Sequence, residues 1–364
     1  MPPFDRTLIE RLVHAASLAP SAENNQPWRF HADGNEIRVY LDRRRALGSD
    51  VDHMFDLTAI GAAIENASIA ARQEKLDLQV RLLIGQSEET ADEGLLPVAA
   101  LTTRAGAQSD PLHAYLDERC TCRTLDRGAV PVGHLEQLAR AAAGFPGVQV
   151  HWITGREEIE ELSQLVALGD RIRFEFPPFQ DEFFENVRFT AREAEATRDG
   201  LDVRTLELPP GGPLALKVLT HRWILRAGNR IGLSRLLVGP SRQWIRRAPV
   251  VGLLAVDAAD AESFVRGGRG LERLWLTATS LGLGIHPAGS LSIFMAYAER
   301  TDGSRLTPRH RQQARQIATR TRNLAPQLAG GVMQLAFRLG WPRFPKHRAL
   351  RLPLDGILGF PTRG

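Results

Sequence analysis

The chain repeats itself, and this limits its possible folds more than any other feature. Leu8–Pro20 (LIERLVHAASLAP) is similar to His134–Pro146 (HLEQLARAAAGFP) at an offset of 126, and the 17 residues from Ile64 (IENASIAARQEKLDLQV) to those from Leu271 (LERLWLTATSLGLGIHP) at an offset of 207. Self-similarity of this kind marks duplicated structural units. In the first pair, apolar residues fall at helical spacing (Ile9, Leu12, Val13, Ala16; Leu135, Leu138, Ala139, Ala142), a proline ends each helix, and a short strand follows, WRFHA or VQVHWIT. The second pair reads as an amphipathic helix running into a strand.

The two offsets differ by 81, so the second copy carries an insertion of that size, placed near residues 157–240. It reads as mostly helical: an acidic-basic stretch over 188–198, a turn at Asp199-Gly200, then Leu214–Val238 with leucines, Trp223 and Ile231 on one face. The expected organisation is α+β, with a first half over 1–108 and a second over 109–364. The insertion forms a helical lid, and a C-terminal arm covers about 301–364, with an arginine-rich helix over Thr301–Arg322 and a final strand in RLPLDGILGF. At 364 residues the chain exceeds what one core usually serves, which suits two halves.

Composition excludes several classes. The chain is 43% hydrophobic and 24% charged, with no apolar run near the roughly eighteen residues of a membrane span. The opening MPPFDRTLIERL places charges where a secretory signal has its apolar centre, so the expected location is the cytoplasm. The only cysteines, Cys120 and Cys122, are too few for a structural zinc site and too close for an unstrained disulfide; they read as loop bystanders, and no metal is expected. Arginines gather over 221–247 and 305–351, which implies an anion somewhere. Nucleic acid and anionic lipid are weaker readings than a solvated helix face, and nucleic-acid motifs are absent. There is also no G-x-G-x-x-G after a strand, no Walker A loop, no H-E-x-x-H and no G-x-S-x-G.

The sharpest local signal is Ala19-Pro20-Ser21-Ala22-Glu23-Asn24-Asn25-Gln26-Pro27-Trp28-Arg29-Phe30, a polar loop between helix and strand. On residue chemistry alone it also suits an ordinary connection. It resembles, at every specified position, the P-S-x-x-N-x-Q-P-W-x-F loop of the FMN-dependent nitroreductases. That family's other opening motif, R-x-S-x-[RK], is missing before the first helix but has a counterpart before the second, Arg119-Cys120-Thr121-Cys122-Arg123. Each half keeps what the other lacks, as expected of a site built across a two-fold after fusion. Whole-chain likeness is to tandem, single-chain nitroreductase-like proteins of the Acg type.

The resemblance implies a nitroreductase-like pseudo-dimer, acting as a monomer, with one FMN between the halves. Carried over residue by residue, Ser21 and Asn24, with Pro20 and Gln26 of the same loop, face the flavin. Arg119 and Thr121 serve its phosphate, joined by Arg348 or Arg351, and Arg123 sits at its pyrimidine edge. Pro287-Ala288-Gly289 approaches N5. Guanidinium groups suit a phosphate dianion, and a fixed cation at the pyrimidine edge stabilises the reduced flavin anion. The implied reaction passes two electrons from transiently bound NAD(P)H to a small electron-poor acceptor. A closed flavin-storage protein and a biosynthetic FMN oxidase are the alternatives. No side chain is expected to act as a general acid, and His286 is given no role.

Overall fold

Asp5 opens the first helix, its carboxylate accepting the Leu8 N–H at 2.7 Å, and the apolar stripe Leu8, Ile9, Leu12 and Val13 is buried. The computed structural model describes residues 5–85 and 94–360. The first half contains α1 (Arg6–Ser17), β1 (Trp28–Asp33), β2 (Glu36–Asp42), α2 (Met54–Gln73), β3 (Leu76–Leu82) and β4 (Leu95–Ala105). The second begins with β5 (Thr124–Asp126), α3 (Val132–Ala142), β6 (Gln149–Ile153), α4 (Arg156–Glu175), α5 (Pro177–Asn186), β7 (Val187–Arg188), α6 (Ala191–Thr197) and β8 (Leu201–Asp202). It continues with α7 (Gly212–Val218), α8 (Arg222–Arg230), α9 (Leu233–Leu237), α10 (Gly239–Arg247), β9 (Val250–Val256), α11 (Ala261–Ser280) and β10 (Gly284–Pro287). It ends with α12 (Gly289–Arg300), α13 (Pro308–Leu324), β11 (Val332–Arg343) and β12 (Leu358–Gly359).

The two halves share one topology. The first sheet runs β1-β2-β4-β3 and the second β6-β9-β11-β10, and every neighbouring pair in these runs is antiparallel. The last strand, β12, leaves the second half and pairs in parallel with β1, Phe30 opposite Leu358, so the C-terminus completes the other half's sheet. Between β6 and β9 the second half holds residues 154–249, where the first half has only the Gly34-Asn35 hairpin turn between β1 and β2. The expected arm over 301–364 is not one unit. Its residues 332–343 are β11, an interior strand paired with β9 and β10, because their near-continuous apolar run is buried from Met333 to Gly340.

The halves meet along α2 and α11. All residues of α2 from Met54 to Ala71 are buried, so the helix expected to be amphipathic is covered on every side, its polar Asp56, Glu65 and Asn66 included. At the crossing a Cβ on Gly61 would lie 2.1 Å from the Val265 carbonyl oxygen, and one on Gly268 would lie 2.1 Å from that of Thr58. Both pairs are related by the offset of 207 found in the sequence, Gly61 with Gly268 and Thr58 with Val265. Contact i to j together with j to i is the signature of an isologous, two-fold interface.

Candidate functional site

The loop after α1 is strained. Glu23, Asn24 and Gln26 have φ of 52°, 57° and 49°, a region that costs non-glycine residues on the order of 1–3 kcal/mol each. Side chains hold it there. The Gln26 N–H donates to Ser21 Oγ at 3.0 Å, and Asn25 Nδ2 donates to Asp56 Oδ1 at 2.7 Å. Asn24 Nδ2 donates to the Leu350 carbonyl at 3.1 Å while its Oδ1 accepts from Arg351 at 3.0 Å. Gln26 is a correction to expectation: it does not line the cavity, because its carboxamide is engaged by the Arg198 carbonyl at 2.9 Å and the Leu352 N–H at 2.8 Å. It clamps loop, insertion and tail together.

The 119–123 segment runs beside β10, the Cys122 N–H donating to the Ile285 carbonyl at 2.9 Å. Arg119 is buried, its Nε 2.9 Å from Glu272 Oε1, its guanidinium over Trp275 and bonded to the Leu18 carbonyl. Arg351 donates to the Leu18 and Ala19 carbonyls, both at 3.1 Å. Burial, reinforced by neighbouring Arg119, pushes the Arg351 guanidinium down to about 9. The carboxylate facing both, Glu272, is itself raised by burial. A buried cation and a half-buried one thus share one reluctant carboxylate, which suits an added anion. Arg348 is exposed and donates to the Asp117 carbonyl, so of the two C-terminal arginines Arg351, half-buried, is the more enclosed.

A second cationic station lies elsewhere in the same wall. Arg123 Nη1 is 3.0 Å from His286 Nε2, and Arg338 Nη2 is 2.7 Å from His286 Nδ1. Arg338 is 2% exposed and also donates to the Arg123 carbonyl at 2.7 Å. Burial pushes Arg123 down to about 10. Burial, with Arg123 beside it, pushes Arg338 down to about 9. Burial and then the two guanidiniums hold His286 well below its ordinary value, so the ring is neutral. A neutral imidazole has one lone pair for a donor. Donors approach both of its nitrogens, so the cluster has a donor to spare.

The insertion forms the opposite wall. A Cβ on Gly169 would come within 3.3 Å of the Ser290 carbonyl, so α4 lies against the start of α12. The next residue, Asp170, lines the cavity, and burial raises its pKa against the opposing Ser241 and Ser290 hydroxyls. Burial also raises Glu23, which is ion-paired with Arg173 of α4.

These walls enclose a cavity of about 510 Å³. Pro20, Ser21 and Asn24 of the first half line it together with Arg119, Thr121, Arg123, Pro287, Ala288, Gly289, Arg348 and Arg351 of the second. It also takes in Cys120, Asp170, Trp244, His286 and Arg338, none of which was anticipated as a site residue. Arg338 left one signal in the sequence, a lone cation within the apolar run LAFRLGW. A second hollow of about 570 Å³, beside Asp110 and Arg273, is more open and holds none of the expected residues. Among the described residues no three His, Cys, Asp or Glu side chains gather to hold a metal, and no helix is long and apolar enough to cross a membrane.

No family model matches the chain. An uncharacterized protein of Mycobacterium tuberculosis is 26% identical over 334 residues, which cover 91% of this chain and 45% of the relative. The chain thus spans about half the length of the curated relative it matches. Among solved structures, the FMN-dependent nitroreductase NfnB of Mycobacterium smegmatis, in complex with NADPH, is 13% identical with a TM-score of 0.38, covering 67% of this chain and 96% of its own. A nitroreductase with bound FMN from Desulfitobacterium hafniense is 14% identical with a TM-score of 0.37, covering 68% and 97%.

Proposed function

We propose that the cavity holds FMN and that the chain is a tandem nitroreductase-like oxidoreductase, passing two electrons from NAD(P)H to a small electron-poor acceptor. The observation that carries this reading is the pair of buried guanidinium stations in one cavity, each left short of a counter-charge or an acceptor. Such a site calls for a ligand with an anionic end and a separate acceptor-rich edge, as FMN has. Bound there, FMN would supply reversible two-electron chemistry.

The protein's part is binding and electrostatics. Arg119, Thr121 and Arg351 hold the phosphate, with Arg348 at the rim. Arg123 and Arg338, spaced by neutral His286, present donors to the pyrimidine edge. Ser21 and Asn24 close the site from the first half, Pro20 sets the turn into that loop, and the Pro287-Ala288-Gly289 turn brings backbone close to the ring. On the insertion side, burial shifts the Asp170 carboxyl towards its protonated form. The absorbance of the purified chain tests the reading: flavin bands that saturate at one equivalent support it, and a colourless protein that refuses added FMN overturns it.

One observation favours a second reading, retention of flavin with little turnover. The insertion is tied down by Arg45 to Asp199 at 2.6 Å and by Arg198 to the Arg351 carbonyl at 2.7 Å. Steady-state NAD(P)H oxidation with and without a nitroaromatic acceptor separates the two.

A further inference from the structure

The described residues expose nine large hydrophobic side chains, and five of them fall in one short stretch of the insertion: Leu214, Val218, Trp223, Ile231 and Leu236, at 43–89% exposure. The stretch has a second peculiarity. From 208 to 256 there is no Asp or Glu, against eight Lys and Arg. Lys217, Arg226, Arg230 and Arg235 are exposed, and no ion pair involves them among the described residues. The inner side of the same helices is well seated: Leu225 is 1% exposed, Asn229 Nδ2 donates to the Phe174 carbonyl at 2.8 Å, and Ser234 Oγ donates to Glu175 at 2.8 Å. A Cβ on Gly228 would lie 2.4 Å from Leu233, so α8 and α9 are locked together. On α8, Trp223, Arg226 and Arg230 follow at spacings of three and four, on the face opposite Leu225.

Large apolar side chains interleaved with unpaired cations on a firmly held helical face match what an anionic lipid interface takes up: apolar groups below the headgroups and cations among the phosphates. Nucleic acid would use the cations but gains nothing from Ile231, which is 89% exposed. A second copy is disfavoured, since a two-fold contact would set acid-free cationic faces against each other. We propose that the α7–α9 face of the insertion docks the protein peripherally on anionic membrane surfaces.

The full-length protein is mixed with phosphatidylcholine vesicles, with or without an equimolar share of phosphatidylglycerol, and bound protein is measured by flotation. The expected result is binding to the anionic vesicles alone, weakened by salt. Arg226→Gln with Arg230→Gln should lower the partition coefficient about 25-fold, near five-fold per cation. Trp223→Ser with Ile231→Ser should lower it at least about ten-fold. These side chains are exposed, so urea unfolding midpoints should stay unchanged. Equal binding to neutral vesicles, no binding to anionic ones, or binding indifferent to both double variants overturns the proposal. So does Trp223-dependent dimerisation without lipid, or an RNA complex that responds to the arginines and not to Trp223.

Discussion

The crossing of α2 and α11 can be tested at a single atom. Gly268→Ala puts a methyl group 2.1 Å from the Thr58 carbonyl oxygen, where ordinary contact begins near 3.4 Å. The opposing group is backbone, so the helices must part by roughly an ångström, which forfeits a quarter to a half of the dispersion energy of the contacts affected. Overpacking of this kind costs about 3 kcal/mol or more, and alanine returns about 1 kcal/mol of helix propensity. The net expectation is a loss of about 2 kcal/mol, or about 3 °C in Tm for a chain of this length. Gly61→Ala, its two-fold mate against Val265, should cost about the same. The double variant should fall short of additivity by about 1 kcal/mol, because the second methyl group enters a crossing already opened. Gly133→Ala in α3, with no heavy atom within 4 Å of the new methyl, serves as the control and should be neutral or slightly stabilising. Urea unfolding measures all four. Losses under about 0.5 kcal/mol, or strict additivity of the pair, would refute the two-fold crossing.

Three further outcomes are expected. Arg351→Met should weaken FMN binding by about 1.5–3 kcal/mol, as for a hydrogen bond to a charged group, whereas exposed Arg348→Met should cost under about 1 kcal/mol; fluorescence titration of both variants ranks them, and the reverse order would exchange their roles. Asp170 keeps its proton above 3.8 in the folded chain because burial disfavours its charge, while the unfolded chain releases it near 3.8, so stability should decline as pH rises from there towards the folded value; Asp170→Asn should remove that decline, and melting curves across pH that coincide with wild type would refute the buried acid. Cys120 is lowered to about 7 by the Cys122 thiol 3.7 Å away, helped against burial by Arg348 and Arg119, and Cys122 is raised, so alkylation should mark Cys120 first with half-maximal rate near pH 7; labelling of Cys122 first, seen by peptide mass, would contradict this.

The sequence revealed what local periodicity and self-comparison can carry. The offset of 207 found from Ile64 and Leu271 onward also relates Gly61 to Gly268, a pairing that only the helix crossing brings out, and the paired helices α1 and α3 with their strands appear where the apolar spacing put them. The Pro20 loop and the 119–123 segment, expected to lie together, both line one cavity. What stayed hidden depends on long-range pairing. Strand β11 read as part of a tail, since an apolar run does not announce which strands will flank it. Cys120 read as a bystander and His286 as idle because the cavity that collects them is closed by an insertion with no counterpart in the first half. Gln26 belongs to the loop motif, yet its amide is taken by the Arg198 carbonyl and the Leu352 N–H, partners more than 170 residues away.

The relation between α2 and α11 also bears on how many anions the proposed site would take. The offset of 207 relates Glu65 of α2 to Glu272 of α11. Around Glu65 the charges balance: Arg269 and Arg273 approach it at 3.0 and 2.7 Å, Arg273 reaches Asp110 at 2.8 Å, and Arg72 joins Asp110 at 4.0 Å to Asp77 at 3.5 Å, giving three cations and three carboxylates. Burial alone would lower the Arg273 guanidinium, but Glu65 and Asp110 outweigh it and raise it. Arg119 pairs with Glu272 and Arg351 also acts on it, while among the described residues no second carboxylate is ion-paired with either arginine, and there burial prevails and drives Arg351 down to about 9. The same helix position is therefore a closed ion-pair network in one half and, in the other, a cationic site short of one negative charge. A ligand that supplies the missing charge gains at the second position and nothing at the first, where it would have to displace Asp110. Of the two positions that the offset relates, only the one facing the cavity would be open to the phosphate of the proposed FMN.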